Sequence, residues 1–480
     1  SSGKRDAVQQ QMSNDYKGYH AALAAGTGPM QSLKEKGMTA YPHYATSDLP
    51  QHALRYAYAT KRVAGLTEHR LMPNYNEVGQ PANPYLGKVI IALLTPFIKS
   101  GALIIFHQHK VLATLLENQQ CIGVQVSDEL NDVNFNISAK STIIACGGIN
   151  GSLEKLKEHW PYQDNKISSK VLNGANPISD GKLHEHINDI GGNITHANKM
   201  WNYAAGIHHP QAEFENHGLS LIPCKSAIWL NHLGERIGPM PLVTGFDTHY
   251  LCQQVVQQEK PWTWQILNES IAKKELAVSG SLHNPSIKNK KLLSFLKEIL
   301  LGNNRLIKQL SDESDDFICA DSLGELTDKM NALTDDKYIK LDVIQNEIDH
   351  YDDELIKPSR LQNDEQIRRI NHARQWGPDK LRTCQPKPIV KSSKKEKLIA
   401  IRLHLISRKS LGGIQTNLKS QVLKENGEIM PNLYCIGEAA GFGGGGACGK
   451  RSLEGTFLSG CILTAKNAAQ AIINNKDEKQ

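Results

Sequence analysis

The chain of 480 residues has no Cys-x-x-Cys pair, no clean apolar run of the ~20 residues that a membrane helix needs, and no strong charge imbalance. Each absence excludes a class. The nine cysteines are widely spaced, which argues against a metal knot and for a reducing compartment. The His-x-His pairs His107/His109 and His184/His186 have no third ligand in view, so no metal site is expected. The most apolar stretch, Val89 to Phe106, is broken by Pro96, Lys99 and Ser100 and reads as a buried helix and strand, with no integral membrane span expected. A net charge of +6 is modest, and its signs are interleaved: residues 312–316 and 352–354 are acidic, 387–409 basic. These read as solvated faces, with no nucleic-acid partner. No secretory signal, internal repeat or long low-complexity tract is visible, and the expected location is cytoplasmic. Hydrophobic content of 40% and charged content of 22% are those of a globular protein, long enough for two or three domains around a large core.

What is present lies mainly in the last sixth of the chain. The run Asn432-Leu433-Tyr434-Cys435-Ile436-Gly437-Glu438 predicts a buried strand with a carboxylate at its tip. After Ala439-Ala440-Gly441-Phe442 come four glycines, Gly443 to Gly446, which let backbone approach a partner closely. From Glu454 the spacing is helical, with Phe457, Cys461, Ile462 and Ala465 on one face. A strand tip, a bare loop and a helix N-terminus would meet at one point, where unpaired N–H groups and the positive dipole end suit a flat, partly anionic, hydroxyl-bearing ligand. Gly441, Gly443 and Gly446 satisfy G-x-G-x-x-G, but a dinucleotide loop opens a βαβ unit and has its acid about 20 residues later. Here Glu438 precedes the glycines and the chain ends after the helix, so an NAD-only dehydrogenase rests on the pattern alone. A plain glycine linker fits poorly with the strand and helix on either side.

This segment resembles the C-terminal flavin motif of FAD-dependent oxidoreductases of the succinate dehydrogenase/fumarate reductase flavoprotein type, a family that includes the 3-ketosteroid dehydrogenases. Ser141-Thr142-Ile143-Ile144-Ala145-Cys146-Gly147-Gly148 is similar to the family's strand leading into Ala-x-Gly-Gly. Ser179-Asp180-Gly181, then Lys182 to Ile190 and Gly191-Gly192, resembles its Gly-Asp-Gly turn and helix. Ser410-Leu411-Gly412-Gly413-Ile414-Gln415-Thr416-Asn417 resembles its Thr-x-Gly-Gly-x-x-x-Asn segment. With the tail, these cover residues 88–480 in the family's order. Met200-Trp201-Asn202-Tyr203, Gly245-Phe246-Asp247-Thr248 and Leu453-Glu454-Gly455-Thr456 are shared in pattern with a branch of bacterial FAD-binding dehydrogenases similar to ketosteroid dehydrogenases. The family's opening strand and dinucleotide glycines have no counterpart in residues 1–87, which are polar and begin Ser1-Ser2-Gly3-Lys4-Arg5 without Met. An N-terminally incomplete chain, or a diverged first unit, is therefore expected.

The resemblance implies an α/β fold: an FAD-binding Rossmann-like domain, its first βαβ unit missing, with an inserted α+β substrate-capping domain. Residues 1–87 would be a remnant or lead-in, 88–197 the middle of the FAD domain, 198–390 the cap, and 391–480 the C-terminal part of the FAD domain. Expected elements are a helix over 88–100, a strand over Ala102–Phe106, and a hairpin of Val111–Leu116 and Gly123–Val126 around Glu117-Asn118-Gln119-Gln120. Ser141 to Ala145 should complete a parallel sheet. Within the cap, Ile228 to Arg236 reads as a strand and an Asn-x-x-Gly-x-Arg turn, and 290–301 as a helix. From Leu398 strand alternation returns, and the chain should rejoin the FAD domain there.

The resemblance also implies FAD as cofactor and assigns contacts to it. Glu438, after Gly437, would accept hydrogen bonds from the ribityl hydroxyls. The backbone N–H groups of Ser452 and Leu453, ahead of Gly455, would face the flavin edge where charge builds on reduction. Asp180 would touch the flavin, although an N-cap role is physically as good. Gly147 and Gly148 would permit close packing under it, and Val111 lies on the stretch that runs past the adenine. Arg408 and Lys409, just before Gly412-Gly413, and Arg451, before the last helix, are candidate substrate-anchoring or proton-donating cations. Tyr203 could polarise a ketone, and a partly buried structural role is the alternative. The ketosteroid enzymes' Tyr-Pro-Gly-Pro-Gly loop is absent; Gly443 to Gly446 stands in its region. The expected reaction is hydride transfer between flavin N5 and a carbon beside a carbonyl or carboxylate, with an enone, ketone or carboxylate as substrate and a separate electron acceptor or donor. The alternative is a truncated, non-catalytic flavoprotein remnant that cannot hold FAD.

Overall fold

The computed structural model describes residues 94–162, 171–238, 248–278, 284–288, 291–334, 338–375, 380, 384–391, 396–444 and 456–477. Of the expected 88–100 helix, residues 94–99 are described and helical. The expected strand over Ala102–Phe106 is absent: these residues are irregular, with no strand hydrogen-bonded to them among the described residues, and Ile104 is 69% exposed. Apolar β-branched residues satisfy strand propensity, but a strand needs a neighbour for its backbone groups.

Regular pairing begins with β1 (His109–Glu117) and β2 (Gln120–Asp128), joined at Asn118 and Gln119. Both turn residues have positive φ, 47° and 63°, as a two-residue hairpin turn with right-handed twist requires. A third strand not expected from the sequence, β3 (Val133–Ser138), adds antiparallel to β2. β4 (Thr142–Ile144) follows. The helix Lys182–Asp189 starts after Gly181 (φ 79°) and stops before Gly191 (φ 90°), as the glycine placement predicts.

The next strands are β5 (Leu172–Asn173), β6 (Ile194–Thr195), β7 (Met200–His208), β8 (Gly218–Ile222), β9 (Ile228–Leu230), β10 (Trp262–Asn268), β11 (Ala277–Val278) and β12 (Phe317–Ala320). They precede β13 (Leu398–Ser410), β14 (Gly413–Ile414), β15 (Gln421–Leu423) and β16 (Ile429–Cys435). β13 hydrogen-bonds to β7, β10 and β12 antiparallel and to β5 parallel, at the centre of an eight-stranded sheet whose main order is β11-β8-β7-β13-β10-β9. Strand alternation does return at Leu398, and the strand pairs with strands from the middle of the chain. Ten of its thirteen residues are buried because both its edges and both its faces are covered. Helices 248–256, 269–275, 304–313, 323–334 and 341–356 pack around this sheet, and its core includes the fully buried Trp229, Trp264 and Tyr351.

A separate three-stranded sheet has the order β15-β16-β4. β16 runs parallel to β4, with Leu433, Tyr434 and Cys435 opposite Thr142, Ile143 and Ile144. This is the parallel pairing expected of Ser141 to Ala145, and it brings the ends of β4 and β16 side by side. The final helix, Thr456–Asp477, packs on the turn that follows β16.

Candidate functional site

The site forms where the C-terminal end of β13 meets the loops leaving β4 and β16. Past β16 the backbone makes one short turn, Gly437–Ala440, held by Gly437 N–H donating to Thr464 Oγ1 of the final helix (2.9 Å). His184, buried on the helix Lys182–Asp189, reaches the Ala439 carbonyl oxygen at 3.1 Å from below. Burial holds the His184 imidazole down at about 4, so it is neutral and its Nε2–H is the donor. The turn after β13 interlocks with this one. A Cβ on Gly413 would fall 2.4 Å from the Ala439 oxygen, and one on Gly441 2.6 Å from the Gly412 carbonyl carbon. Phe442 and Gly444 N–H both donate to the Leu411 oxygen, at 2.8 and 3.0 Å. The described half of the glycine run is thus folded back onto the end of β13.

Glu438 stands at the centre. Its Oε1 accepts the Ser410 N–H at 2.8 Å, and no other hydrogen bond to this carboxylate forms among the described residues. Burial pushes its carboxyl above the ordinary range, opposed by the Ser410 N–H and the charges of Lys409 and Arg408. Arg408 lies with its guanidinium 5.7 Å from the centre of the Tyr203 ring and donates to the Gly174 oxygen at 3.2 Å. Tyr203 and Trp201, both on β7, meet edge to face at 6.5 Å.

A polar seam that the sequence did not announce locks β13 to the loop after β4. Ser410 Oγ accepts the Ile149 N–H (2.8 Å) and donates to Asn150 Oδ1 (3.2 Å). Ser407 Oγ donates toward the Asn150 oxygen (3.1 Å) and Asn173 Oδ1 (3.2 Å). Asn150 Nδ2 donates to Asn202 Oδ1 at 3.3 Å. All five side chains are buried, so each needs these partners. The only sequence signal was position: Asn150 follows the Gly147-Gly148 motif, and Ser407 and Ser410 bracket Arg408 and Lys409.

The remaining expected residues divide into three groups. Gly148 sits against the centre itself: a Cβ there would lie 2.4 Å from Ser410 Oγ and 2.6 Å from Glu438 Oε1. Gly147 (φ 81°) faces Ser179 in the same way, at 2.4 Å from its Oγ. The space each glycine leaves is filled by protein side chains. Asp180 acts at the entrance of its helix, where Oδ1 accepts the Lys182 N–H at 3.1 Å, and its charge also bears on Cys146 and His184. Burial raises Cys146 to about 11, so it is a thiol and not a thiolate nucleophile. Val111 is on β1 opposite Val126 and is exposed. Arg451, Ser452, Leu453 and Gly455 lie outside the described residues.

Both His-x-His pairs make protein contacts: His109 Nδ1 lies 2.6 Å from the His107 oxygen, and His186 Nε2 accepts the Thr114 N–H at 2.9 Å. A different group, His208, Asp316 and His404, comes together beside the first half of β13. Asp316 is fully buried, accepts Arg402 Nε at 2.7 Å and faces His208 Nδ1 at 2.8 Å. Burial would raise its carboxyl, but the hydrogen bonds of His208 and His404, with the charges of His404 and Arg402, hold it far below the usual range.

The sequence pattern described as the FAD binding domain matches residues 8–458, reaching further back than the motifs identified above. The chain belongs to this family. Members are flavoproteins, and FAD is the cofactor it implies. Relatives include a KsdD-like steroid dehydrogenase of Mycobacterium tuberculosis, 33% identical over 378 residues, and one of Mycolicibacterium smegmatis, 35% identical over 325. These alignments cover 76% and 68% of this chain but 66% and 59% of the relatives, so the chain spans about two thirds or less of their length. The fold is similar to that of 3-ketosteroid Δ1-dehydrogenase from Sterolibacterium denitrificans, with a TM-score of 0.57 at 15% identity over 81% of this chain and 63% of that one. It is also similar to a flavocytochrome c3 fumarate reductase, with a TM-score of 0.56 at 13% identity, covering 91% and 68%. Like those proteins, the chain combines helices and sheets around an FAD-binding domain. Among the described residues no helix is long and apolar enough to cross a membrane.

Proposed function

We propose that the chain serves an FAD-dependent oxidoreductase acting on a CH–CH group beside a carbonyl, with a steroid-like ketone or enone as substrate. One observation carries the reading: the Ser410 N–H that holds the half-buried Glu438 carboxylate belongs to the strand that presents Arg408 and Lys409. Cofactor contact and substrate contact would therefore share one rigid element. Glu438 fits FAD by its donor set. One carboxylate oxygen is held by the protein and the other is available to ribityl hydroxyls, in a turn kept close by glycines.

Bound FAD supplies the hydride acceptor or donor. The protein's part is to bind and orient. Arg408 and Lys409 would draw a substrate oxygen toward the end of β13, and Tyr203, beside Arg408, would donate a hydrogen bond to it. Ser452 and Leu453 N–H groups, with Gly455, would meet the flavin's electron-rich edge, and Arg451 would add a further cation. Asp180, Gly147 and Val111 would line the remaining cofactor path. The names of the relatives favour a steroid-like substrate over a dicarboxylate.

The test has two arms. FAD titration by flavin fluorescence should show binding that weakens roughly tenfold or more in Glu438→Gln, since hydrogen bonds to a charged group contribute about 1.5–3 kcal/mol. Anaerobic stopped-flow bleaching of the FAD-loaded protein by saturated and Δ4 3-ketosteroids should then slow by on the order of 10²-fold in Arg408→Ala, with the flavin spectrum intact. Bleaching by dicarboxylates alone, or an Arg408→Ala rate equal to the parent's, sinks the substrate assignment.

A further inference from the structure

A ten-residue helix, Leu292–Leu301, leaves apolar side chains in water. Leu293, Leu300 and Leu301 are 84%, 72% and 67% exposed, and Leu296 is 44% exposed. At 100° per residue, positions 296, 300, 293, 297 and 301 fall in that order around a single face. That face is therefore Leu, Leu, Leu, Lys, Leu. Phe295 and Ile299 sit on the opposite side and are half-buried against the protein. An isolated exposed leucine needs no explanation, but four on one helical face do.

The helix's own charge on this face has one sign. Lys297 lies within it and Lys291 precedes the helix, both exposed. The helix's one acid, Glu298, points elsewhere: it accepts from Ser286 Oγ at 2.6 Å and pairs with Arg305. One lysine inside the leucine face and a second at the helix start, with no acid of the helix on that face, match the two layers of an anionic lipid surface. The leucines can enter the acyl boundary while the lysine stems run outward to place their ammonium groups among phosphates. A second copy of the chain is a poorer occupant, because face-to-face pairing about a twofold axis would bring Lys297 of one copy toward the lysines of the other.

We propose that Leu292–Leu301 is an interfacial helix that seats the protein on anionic membrane surfaces. It lies in the plane of the surface and does not span it. At ten residues it is too short to cross a bilayer of roughly 30 Å at 1.5 Å per residue. Binding should need both contributions and should weaken with salt.

Flotation with vesicles tests this directly, using about three parts phosphatidylcholine to one part phosphatidylglycerol against pure phosphatidylcholine. The parent protein should float with the anionic vesicles, less so with pure phosphatidylcholine and less so at high salt. Leu293→Gln/Leu300→Gln and, separately, Lys291→Gln/Lys297→Gln should each cut the bound fraction by roughly tenfold, with circular dichroism and flavin retention unchanged. Because both leucines are exposed, these variants should fold normally. Two results overturn the proposal: a parent protein that stays with the lipid-free fraction, or variants that float as well as the parent. A leucine-dependent dimer by light scattering, with no vesicle binding, assigns the face to a second copy instead.

Discussion

Gly148→Ala probes the junction on which the proposed site depends. The added Cβ falls 2.4 Å from Ser410 Oγ, 2.8 Å from Ser410 Cβ and 2.6 Å from Glu438 Oε1, where ordinary contact begins at 3.4 Å. Something must move by close to 1 Å. Ser410 cannot move alone, because its Oγ is fixed by the Ile149 N–H at 2.8 Å and its own N–H holds Glu438 at 2.8 Å. Overpacking of this kind costs about 1–3 kcal/mol, and displacing Glu438 from the Ser410 N–H adds part of the 1.5–3 kcal/mol of a charge-assisted bond, so we expect roughly 3 kcal/mol in all. FAD affinity should fall in the same variant, because the carboxylate is no longer held in place. Urea unfolding against Gly238→Ala provides the control: Gly238 has nothing within 4 Å of its would-be Cβ, and its substitution should stay within about 0.5 kcal/mol of the parent. Adding Ser410→Ala to Gly148→Ala removes the nearest clash and should recover about 1 kcal/mol as a coupling energy. If Gly148→Ala unfolds with Gly238→Ala and retains full FAD affinity, the loop after β4 yields freely, and the tight-junction argument fails.

Asp316→Ala should destabilise the protein by ~3–5 kcal/mol in urea unfolding, because it leaves the guanidinium of Arg402, on β13, without its buried partner; a change below about 1 kcal/mol contradicts a buried ion pair there. His184 gives a pH signature. Its folded value of about 4 lies below the ordinary 6.5, so the unfolded chain binds the extra proton between those limits. The stabilisation is complete above about 6.5 and is lost as pH falls toward 4, by on the order of 3 kcal/mol. His184→Gln should flatten this part of the stability profile, and an unchanged slope assigns the acid sensitivity to other groups. Arg451→Ala in FAD-loaded protein should slow flavin reduction by ~10²-fold if Arg451 meets the substrate, and parent-rate bleaching makes it a structural base.

The sequence by itself determined the features that are written locally. The β1–β2 hairpin lies where alternating apolar residues surround Asn118-Gln119, and the helix Lys182–Asp189 lies between Gly181 and Gly191. The strand that runs up to Cys435, the turn carrying Glu438 after it, and the last helix were legible, since periodicity and backbone freedom are properties of short segments. Which segments become neighbours was decided by the tertiary structure. Alternation identified β13 as a strand but not as the centre of the mid-chain sheet, because any hydrophobic neighbour satisfies the same pattern. Ala102–Phe106 has the composition of a strand yet forms none, because propensity supplies no pairing partner. The seam of Asn150, Asn173, Asn202, Ser407 and Ser410 was invisible in sequence for a related reason. Single Ser and Asn residues carry no periodic signal, and their burial becomes favourable only when residues up to 260 positions apart satisfy one another's hydrogen bonds.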